Sequence, residues 1–230
     1  MSTPSLDGRI AYVIGAGSDA ARAIALAFAD AGADIGVTTA TTDAEEAFAV
    51  QRLARSITAK GRRSQAEAID MSLGANVQVA VRQLSKALGP PDILVTAPEA
   101  RLAKPSERLT DAEWARVLNL NLSAVFYACR GVAREMLARE LPPGREADRG
   151  RIIVVVSSSR AGAEVGAAYI AATEGVRALV QALDAEWRDR GLRVSLLEAE
   201  PGGAEEIASR ALMLAAVYSD HGDEDEAKDH

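Results

Sequence analysis

Few side chains in the 230-residue sequence are equipped for chemistry, and their types narrow what that chemistry can be. The single cysteine, Cys129, leaves no internal disulfide and no cysteine-based metal site, and the only two histidines, His221 and His230, sit in the terminal tail. Metal chemistry and histidine acid/base catalysis are therefore not expected. What remains is a glycine turn and a set of hydroxyl groups. The apolar run Arg9 to Ile14 ends in Gly15-Ala16-Gly17, and Ser18-Asp19 opens an alanine-rich stretch to Ala31 in which Ala23, Leu26 and Ala27 recur at helical spacing. Strand, glycine turn and helix in that order offer backbone N–H groups to an anion. Asp19, however, places a carboxylate at the helix N-terminus, where a phosphate would sit. Two like charges about 4 Å apart repel by roughly 4 kcal/mol at an effective dielectric of ~20. Asp19 also reads simply as the N-cap. Tyr169, with a reference pKa of about 10, is neutral at pH 7 unless a cation lowers it, and lysine occurs only at positions 60, 86, 104 and 228.

The elements that must position these groups alternate. Strands are expected at Arg9–Ile14, Asp34–Thr38, Ser64–Ile69, Asp92–Thr96, Arg151–Val156 and Leu192–Leu197, with helices at Asp43–Lys60, Ala75–Leu88, Asp111 to about Arg139, and Ala168–Arg190. Thr110 to Glu113 fits a capping box. Such alternation points to parallel β-α-β units and a doubly wound sheet, whose ligands lie beyond the carboxyl ends of the strands. Gly15 to Asp19, Thr96 to Glu99 and Ser157 to Gly162 then share one crevice.

Composition is that of one ordinary domain, with 48% apolar and 26% charged residues. No apolar run approaches the roughly 18 residues of a membrane span, and the N-terminus lacks the pattern of a signal peptide, so a cytoplasmic location is expected. The net charge of −7 argues against nucleic acid; much of it comes from residues 219–230, an acidic tail expected to be disordered beyond a single domain over 1–218.

Several segments together resemble the short-chain dehydrogenase/reductase family over roughly residues 6 to 217. Thr110-Asp-Ala-Glu-Trp-Ala-Arg-Val-Leu-Asn-Leu-Asn121 is similar to the family helix that carries its active-site asparagine. Leu88-Gly-Pro-Pro-Asp-Ile-Leu-Val95 is similar to the lead-in to its fourth strand. Asp70-Met-Ser72 resembles the motif that contacts adenine, and Gly191-Leu-Arg-Val194 with Pro201-Gly202 resembles the sixth strand and its exit. The resemblance implies a Rossmann-like doubly wound parallel sheet of about six strands, a dinucleotide held through Gly15, Gly17 and Asp70, and catalysis at Asn121, at Ser158 or Ser159 (or Ser157), and at Tyr169.

The departures lie where the chemistry lies. The family's T-G-x-x-x-G-x-G becomes Ile14-Gly15-Ala-Gly-Ser-Asp19-Ala-Ala21, and Asn-Asn-Ala-Gly becomes Thr96-Ala-Pro98-Glu99, where proline has no N–H to donate and Glu99 brings another negative charge close to where the cofactor would lie. Tyr-x-x-x-Lys becomes Tyr169-Ile-Ala-Ala-Thr173. Thr39-Ala40-Thr41-Thr42 offers neither the acid that meets an NAD ribose nor the arginine that holds an NADP phosphate, leaving Asp43 as a late substitute or a plain helix cap. Arg177 lies two turns beyond Tyr169, on the order of 12 Å of rise; Lys104 has no spacing to recommend it, and Arg160 is the nearest basic residue by sequence. Ser159 stands about three residues closer to Tyr169 than the family's serine, and the Asn, Ser and Tyr trio also reads as a hydrogen-bonding scaffold. The helix type that precedes the family's last strand follows Pro201-Gly202-Gly203 almost directly, so the substrate lid and last strand are expected to be missing.

The expectation from the sequence is a non-catalytic structural or regulatory subunit, binding no cofactor, as a homodimer or as a heteromer with an intact homologue. The long helices from Asp111 and Ala168, with Val176, Leu179, Val180, Leu183 and Trp187 on the second, carry the assembly expectation. The alternative is an NAD(P)-dependent oxidoreductase of ketone/alcohol or 3-oxoacyl type with a rebuilt site, with NADP or NAD as cofactor; a cofactor-free lyase or sensor is the third class.

Overall fold

A computed structural model describes residues 4–141, 148–157, 166–200 and 203–216. Six strands, β1 (Ile10–Ile14), β2 (Asp34–Thr38), β3 (Ser64–Glu67), β4 (Ile93–Thr96), β5 (Gly150–Ser157) and β6 (Leu192–Ala199), form one parallel sheet in the order β3-β2-β1-β4-β5-β6. The helices are α1 (Asp19–Asp30), α2 (Ala44–Ala59), α3 (Gly74–Leu88), α4 (Asp111–Leu118), α5 (Ala124–Ala138), α6 (Ala167–Trp187) and α7 (Ala204–Ala216).

Strands covered on both faces are largely apolar, and β2 and β4 are buried at every position, with Asp34, Thr38 and Thr96 as their buried polar residues at the strand ends. Because side chains alternate, β1 sends Ala11 and Val13 into a core under α1, α2 and α7, and Tyr12 and Ile14 into a second core under α3, α5 and α6. Ile14 pairs with both Thr38 and Thr96, and Thr96 pairs with Val154, so the exits of four strands lie side by side at one edge. The reversal of strand order between β1 and β4 opens a crevice there.

The expected element boundaries hold to within about three residues, with one instructive exception. The single helix expected from Asp111 is interrupted by a π-helical turn, Asn119–Ser123, between α4 and α5. Its start is the expected capping box, with Thr110 and Glu113 bonded reciprocally. On α6, Val176, Val180, Leu183 and Trp187 are buried in the chain's own core, so they are not the surplus apolar surface on which the expected assembly rested. The acidic tail lies outside the described residues.

Candidate active site

The crevice at the strand exits contains two adjoining cavities. The larger, of about 430 Å³, is lined by Asn121, Ser157, Tyr169 and Thr173 among others; the smaller, of about 280 Å³, lies between the glycine turn and the exit of β2. Ser18, Ala97 and Glu99 line both.

The glycine turn is shaped for close approach. Gly15 has φ +83°, and a Cβ there would stand 3.1 Å from the backbone nitrogen of Pro98, so the turn and the exit of β4 nearly touch. The Gly15 amide donates to Thr38 Oγ1 at 3.2 Å and the Ala16 amide to the Thr38 carbonyl at 2.7 Å, pinning the turn to β2. The N-cap of α1 is Ser18, whose Oγ accepts from the Ala21 amide, so the reading of Asp19 as the cap is corrected. Asp19 is the first helical residue; its side chain is 82% exposed and paired with Arg22 one turn on. The repulsion expected of a bare carboxylate is therefore reduced, since the charge is solvated and paired with an arginine. Asp70 Oδ1 accepts from the Ser72 amide at 2.9 Å, and Met71 beside it is fully buried, its Sδ 3.1 Å from where a Gly15 Cβ would stand.

A second cluster lines the larger cavity around Tyr169. The Tyr169 hydroxyl donates to Glu99 Oε1 at 3.0 Å. Arg101 donates from Nε to the same oxygen at 2.7 Å and from Nη2 to Ser157 Oγ at 2.7 Å, and its guanidinium carbon lies 5.4 Å from the centre of the Tyr169 ring. Ser157 also engages the Tyr169 hydroxyl. Burial pushes the phenol of Tyr169 above its usual value; the Glu99 charge and hydrogen bond add to the rise, while Arg101 and Ser157 oppose it. Burial works against the charged form of Arg101, but Glu99 outweighs it and holds the guanidinium firmly protonated. Glu99, expected as an unpaired negative charge against a cofactor, is thus half of an ion pair.

Asn121 holds this cluster from behind. Its Oδ1 accepts from the Ala100 amide at 2.8 Å, and its Nδ2 donates to the carbonyls of Ala100 at 2.7 Å and Val117 at 3.0 Å. The π-turn aims Asn121 out of the helix at the segment carrying Glu99 and Arg101. Lys104 fastens the far end of that segment to α4, with Nζ 2.8 and 2.7 Å from the two carboxylate oxygens of Glu113. The Lys104 hydrogen bond, seconded by Thr110, lowers the Glu113 carboxyl from 4.5 to about 2. A depressed carboxylate stabilises the fold above its ordinary pKa and loses that contribution as pH falls from about 4.5 towards 2. We therefore expect Lys104→Ala to unfold at a higher pH than wild type in an acid titration followed by the fluorescence of the neighbouring Trp114; coincident acid limbs would show that the pair fastens nothing.

Of the expected site residues, the structure brings Gly15, Gly17, Asn121, Ser157 and Tyr169 to the crevice. Ser158, Ser159 and Arg160 lie outside the described residues. Arg177 is held by Glu174 and Glu198. Arg101 went unrecognised in the sequence because no periodicity ties a loop residue to Tyr169.

With this geometry in view, comparison with known proteins decides the family: the short chain dehydrogenase family model matches residues 9–207. The chain belongs to the short-chain dehydrogenase family. D-threitol dehydrogenase of Mycolicibacterium smegmatis is 36% identical over 194 residues, covering 84% of this chain and 69% of that protein. Galactitol 2-dehydrogenase of Rhizobium johnstonii is 30% identical, covering 83% and 70%. The solved structure of a metagenomic short-chain oxidoreductase in complex with NADP superposes with a TM-score of 0.77 at 28% identity, covering 92% of this chain and 91% of that one.

These relatives overturn the expectation of a non-catalytic, cofactor-free subunit. They carry the names of working dehydrogenases, one neighbour holds NADP, and the two charges that argued against a cofactor here, Asp19 and Glu99, are each paired with arginine. The crevice of this short-chain dehydrogenase offers a dinucleotide a positive-φ glycine turn and the capped start of α1 beside two adjoining cavities, whereas Asp70, expected to hold the cofactor, lines neither of them.

Proposed function

We propose that the protein is an NAD(P)-dependent oxidoreductase interconverting a polyol-like secondary alcohol and its ketone through a rebuilt active site. The observation that carries this reading is the placement of the Tyr169 hydroxyl in the larger cavity, bonded to Glu99 and flanked by the guanidinium of Arg101. The names of the relatives, which act on threitol and galactitol, favour a polyol over a 3-oxoacyl substrate.

A bound nicotinamide cofactor supplies or removes the hydride; the chain must manage the proton. In carbonyl reduction the phenol of Tyr169 gives its proton to the substrate oxygen. Arg101 stabilises the phenolate left behind, and Ser157 supports the same oxygen by hydrogen bonding. In alcohol oxidation the same path runs in reverse, the Tyr169 phenolate beside Arg101 accepting the hydroxyl proton of the substrate. The cation that the family places one turn after the tyrosine, where this chain has Thr173, is thus supplied across the cavity by Arg101.

The test is NADH or NADPH oxidation with a panel of four- to six-carbon ketoses, with the polyols assayed in reverse and Tyr169→Phe as the control. Turnover by wild type and its loss in Tyr169→Phe are expected; an equally active Tyr169→Phe would remove the tyrosine from the chemistry. Because the phenol pKa is raised, the proton donor stays loaded at neutral and alkaline pH. Ketone reduction should hold its rate up to the ordinary tyrosine value of about 10. An alkaline fall centred near pH 8 would contradict that assignment.

A further inference from the structure

The loop after β2 carries an anion site that the chain fills with its own carboxylate. Glu46 sits in the first turn of α2, whose N-cap is Asp43, so Asp43 is the plain helix cap that the sequence allowed. A glutamate three residues after the cap ordinarily turns back to the N-cap amide. Here it reaches further. Oε1 of Glu46 accepts from the Ala40 amide, and Oε2 accepts from the Thr41 amide at 3.0 Å and from Thr41 Oγ1 at 2.6 Å. Two backbone donors and a hydroxyl thus converge on one carboxylate. On its other side the group crowds the glycine turn, for a Cβ on Gly17 would stand 2.7 Å from Glu46 Oε1. Gly15, Gly17, Ala40, Thr41 and Glu46 line the smaller cavity together.

Resting on the dinucleotide reading above, we propose that Glu46 is the residue that selects NAD over NADP in this protein. In dinucleotide-binding sheets of this kind an acid near the exit of the second strand receives the ribose 2′-hydroxyl, whereas an added 2′-phosphate needs donors and positive charge. The β2 exit itself, Thr39-Ala40-Thr41, has no acid. Glu46 delivers one from the next helix into the same place, and it does so by occupying the donors that a phosphate would use. A 2′-phosphate, carrying between one and two negative charges at neutral pH, would meet a fixed carboxylate and find the Ala40 and Thr41 amides taken. A 2′-hydroxyl has a proton to give that carboxylate. Among the described residues, no arginine or lysine lines the smaller cavity.

The arrangement makes the preference reversible by one substitution. Removing the carboxylate leaves the Ala40 and Thr41 amides and the Thr41 hydroxyl converging on an empty anion site, so Glu46→Ala should gain affinity for the phosphorylated cofactor as it loses affinity for the other. Calorimetric titration of the purified full chain with NADH and with NADPH, without substrate, reads this directly. Wild type is expected to bind NADH at least tenfold more tightly, Glu46→Ala to shift the ratio of dissociation constants at least tenfold towards NADPH, and Glu46→Gln, which retains a group that can fill the site, to fall between. Thermal unfolding of each variant confirms that it is folded, and Glu46→Gln carries the test if the alanine variant is not. Equal or tighter binding of NADPH by wild type, or an unchanged ratio in both variants, would overturn the assignment of Glu46 while leaving the dinucleotide reading intact. Binding of neither cofactor at millimolar concentration by any of the three proteins would overturn the dinucleotide reading and the assignment with it.

Discussion

Arg101→Ala should lower kcat for ketone reduction by about 10²–10³-fold, the effect of deleting one oriented electrostatic donor from an active site. Arg101 contacts three members of the cluster at once: it pairs with Glu99, donates to Ser157 and faces the Tyr169 ring. Deleting it leaves Glu99 as an uncompensated carboxylate bonded to the very phenol that must become an anion, so the charge formed in proton transfer would be repelled where it had been stabilised. Arg101 opposes the rise of the Tyr169 pKa, hence its loss should push that value still higher. Ultraviolet difference titration of tyrosinate, compared between Arg101→Ala and Arg101→Ala/Tyr169→Phe, isolates that shift. Arg101→Lys keeps the charge but not the fork that spans Glu99 and Ser157 and should retain more activity than the alanine variant. The sharpest comparison adds Thr173→Lys to Arg101→Ala. Thr173 stands one turn beyond Tyr169 on α6 and lines the same cavity, so a lysine there approaches the phenol from the other side. Recovery of turnover in the double variant is expected if the cation is what Arg101 provides. Wild-type kcat in Arg101→Ala would show that Tyr169 works without a neighbouring cation, and a double variant as slow as the single one would show that Arg101 acts through its contacts to Glu99 and Ser157 and not as a replaceable charge.

The fold was legible because its signals are local. Apolar runs bounded by turns gave the six strands, and the pattern from Thr110 to Glu113 gave the start of α4. The π-turn at Asn119–Ser123 escaped because one extra residue per turn leaves the apolar spacing almost unchanged. At the site, the position of Gly15, Gly17, Asn121 and Tyr169 along the crevice was legible, and the pairing of the charges beside them was not. Asp19 and Glu99 read as repulsive because each was considered alone, although Arg22 lies three residues from Asp19 and Arg101 two from Glu99, both within reach of a pairing argument. The pattern Asp43-Ala-Glu-Glu46 announces a capping arrangement, yet nothing local says that the glutamate will pass the cap and reach Ala40 and Thr41. The contact between Arg101 and Tyr169 spans 68 positions of sequence and depends on how the chain leaves β4, which no periodicity encodes. Motif loss is therefore weaker evidence of lost function than it looks, since a cation or an acid missing from its usual position can arrive from another element.

Gly166→Ala should be the most damaging single-methyl change near the site, costing about 3 kcal/mol, or roughly 6–12 °C in Tm for a chain of this size. Gly166 precedes α6 with φ 80° and ψ 148°, a backbone conformation essentially restricted to glycine. A Cβ there would land on the carbonyl oxygen of Leu102, a backbone atom that cannot rotate away. Two penalties coincide, strain within the residue and a collision with its neighbour. Gly61 separates them: its φ is 83°, but nothing lies within 4 Å of an added Cβ, so Gly61→Ala should suffer the strain alone, about 1 kcal/mol. The functional consequence follows from what Gly166 joins. Leu102 is the neighbour of Arg101 and Gly166 lies three residues before Tyr169, so this glycine sets the distance between the loop bearing the cation and the helix bearing the phenol. Relief of the collision must move one away from the other, and a displacement of about 1 Å in a catalytic pair costs on the order of 10²-fold. Gly166→Ala is therefore expected to lose both stability and turnover, whereas Gly61→Ala loses a little stability and keeps its turnover. Calorimetric Tm and kcat measured on the two variants side by side decide it: a Gly166→Ala protein that melts within 2 °C of Gly61→Ala would show that the approach of α6 to Leu102 is not as close as the structure places it.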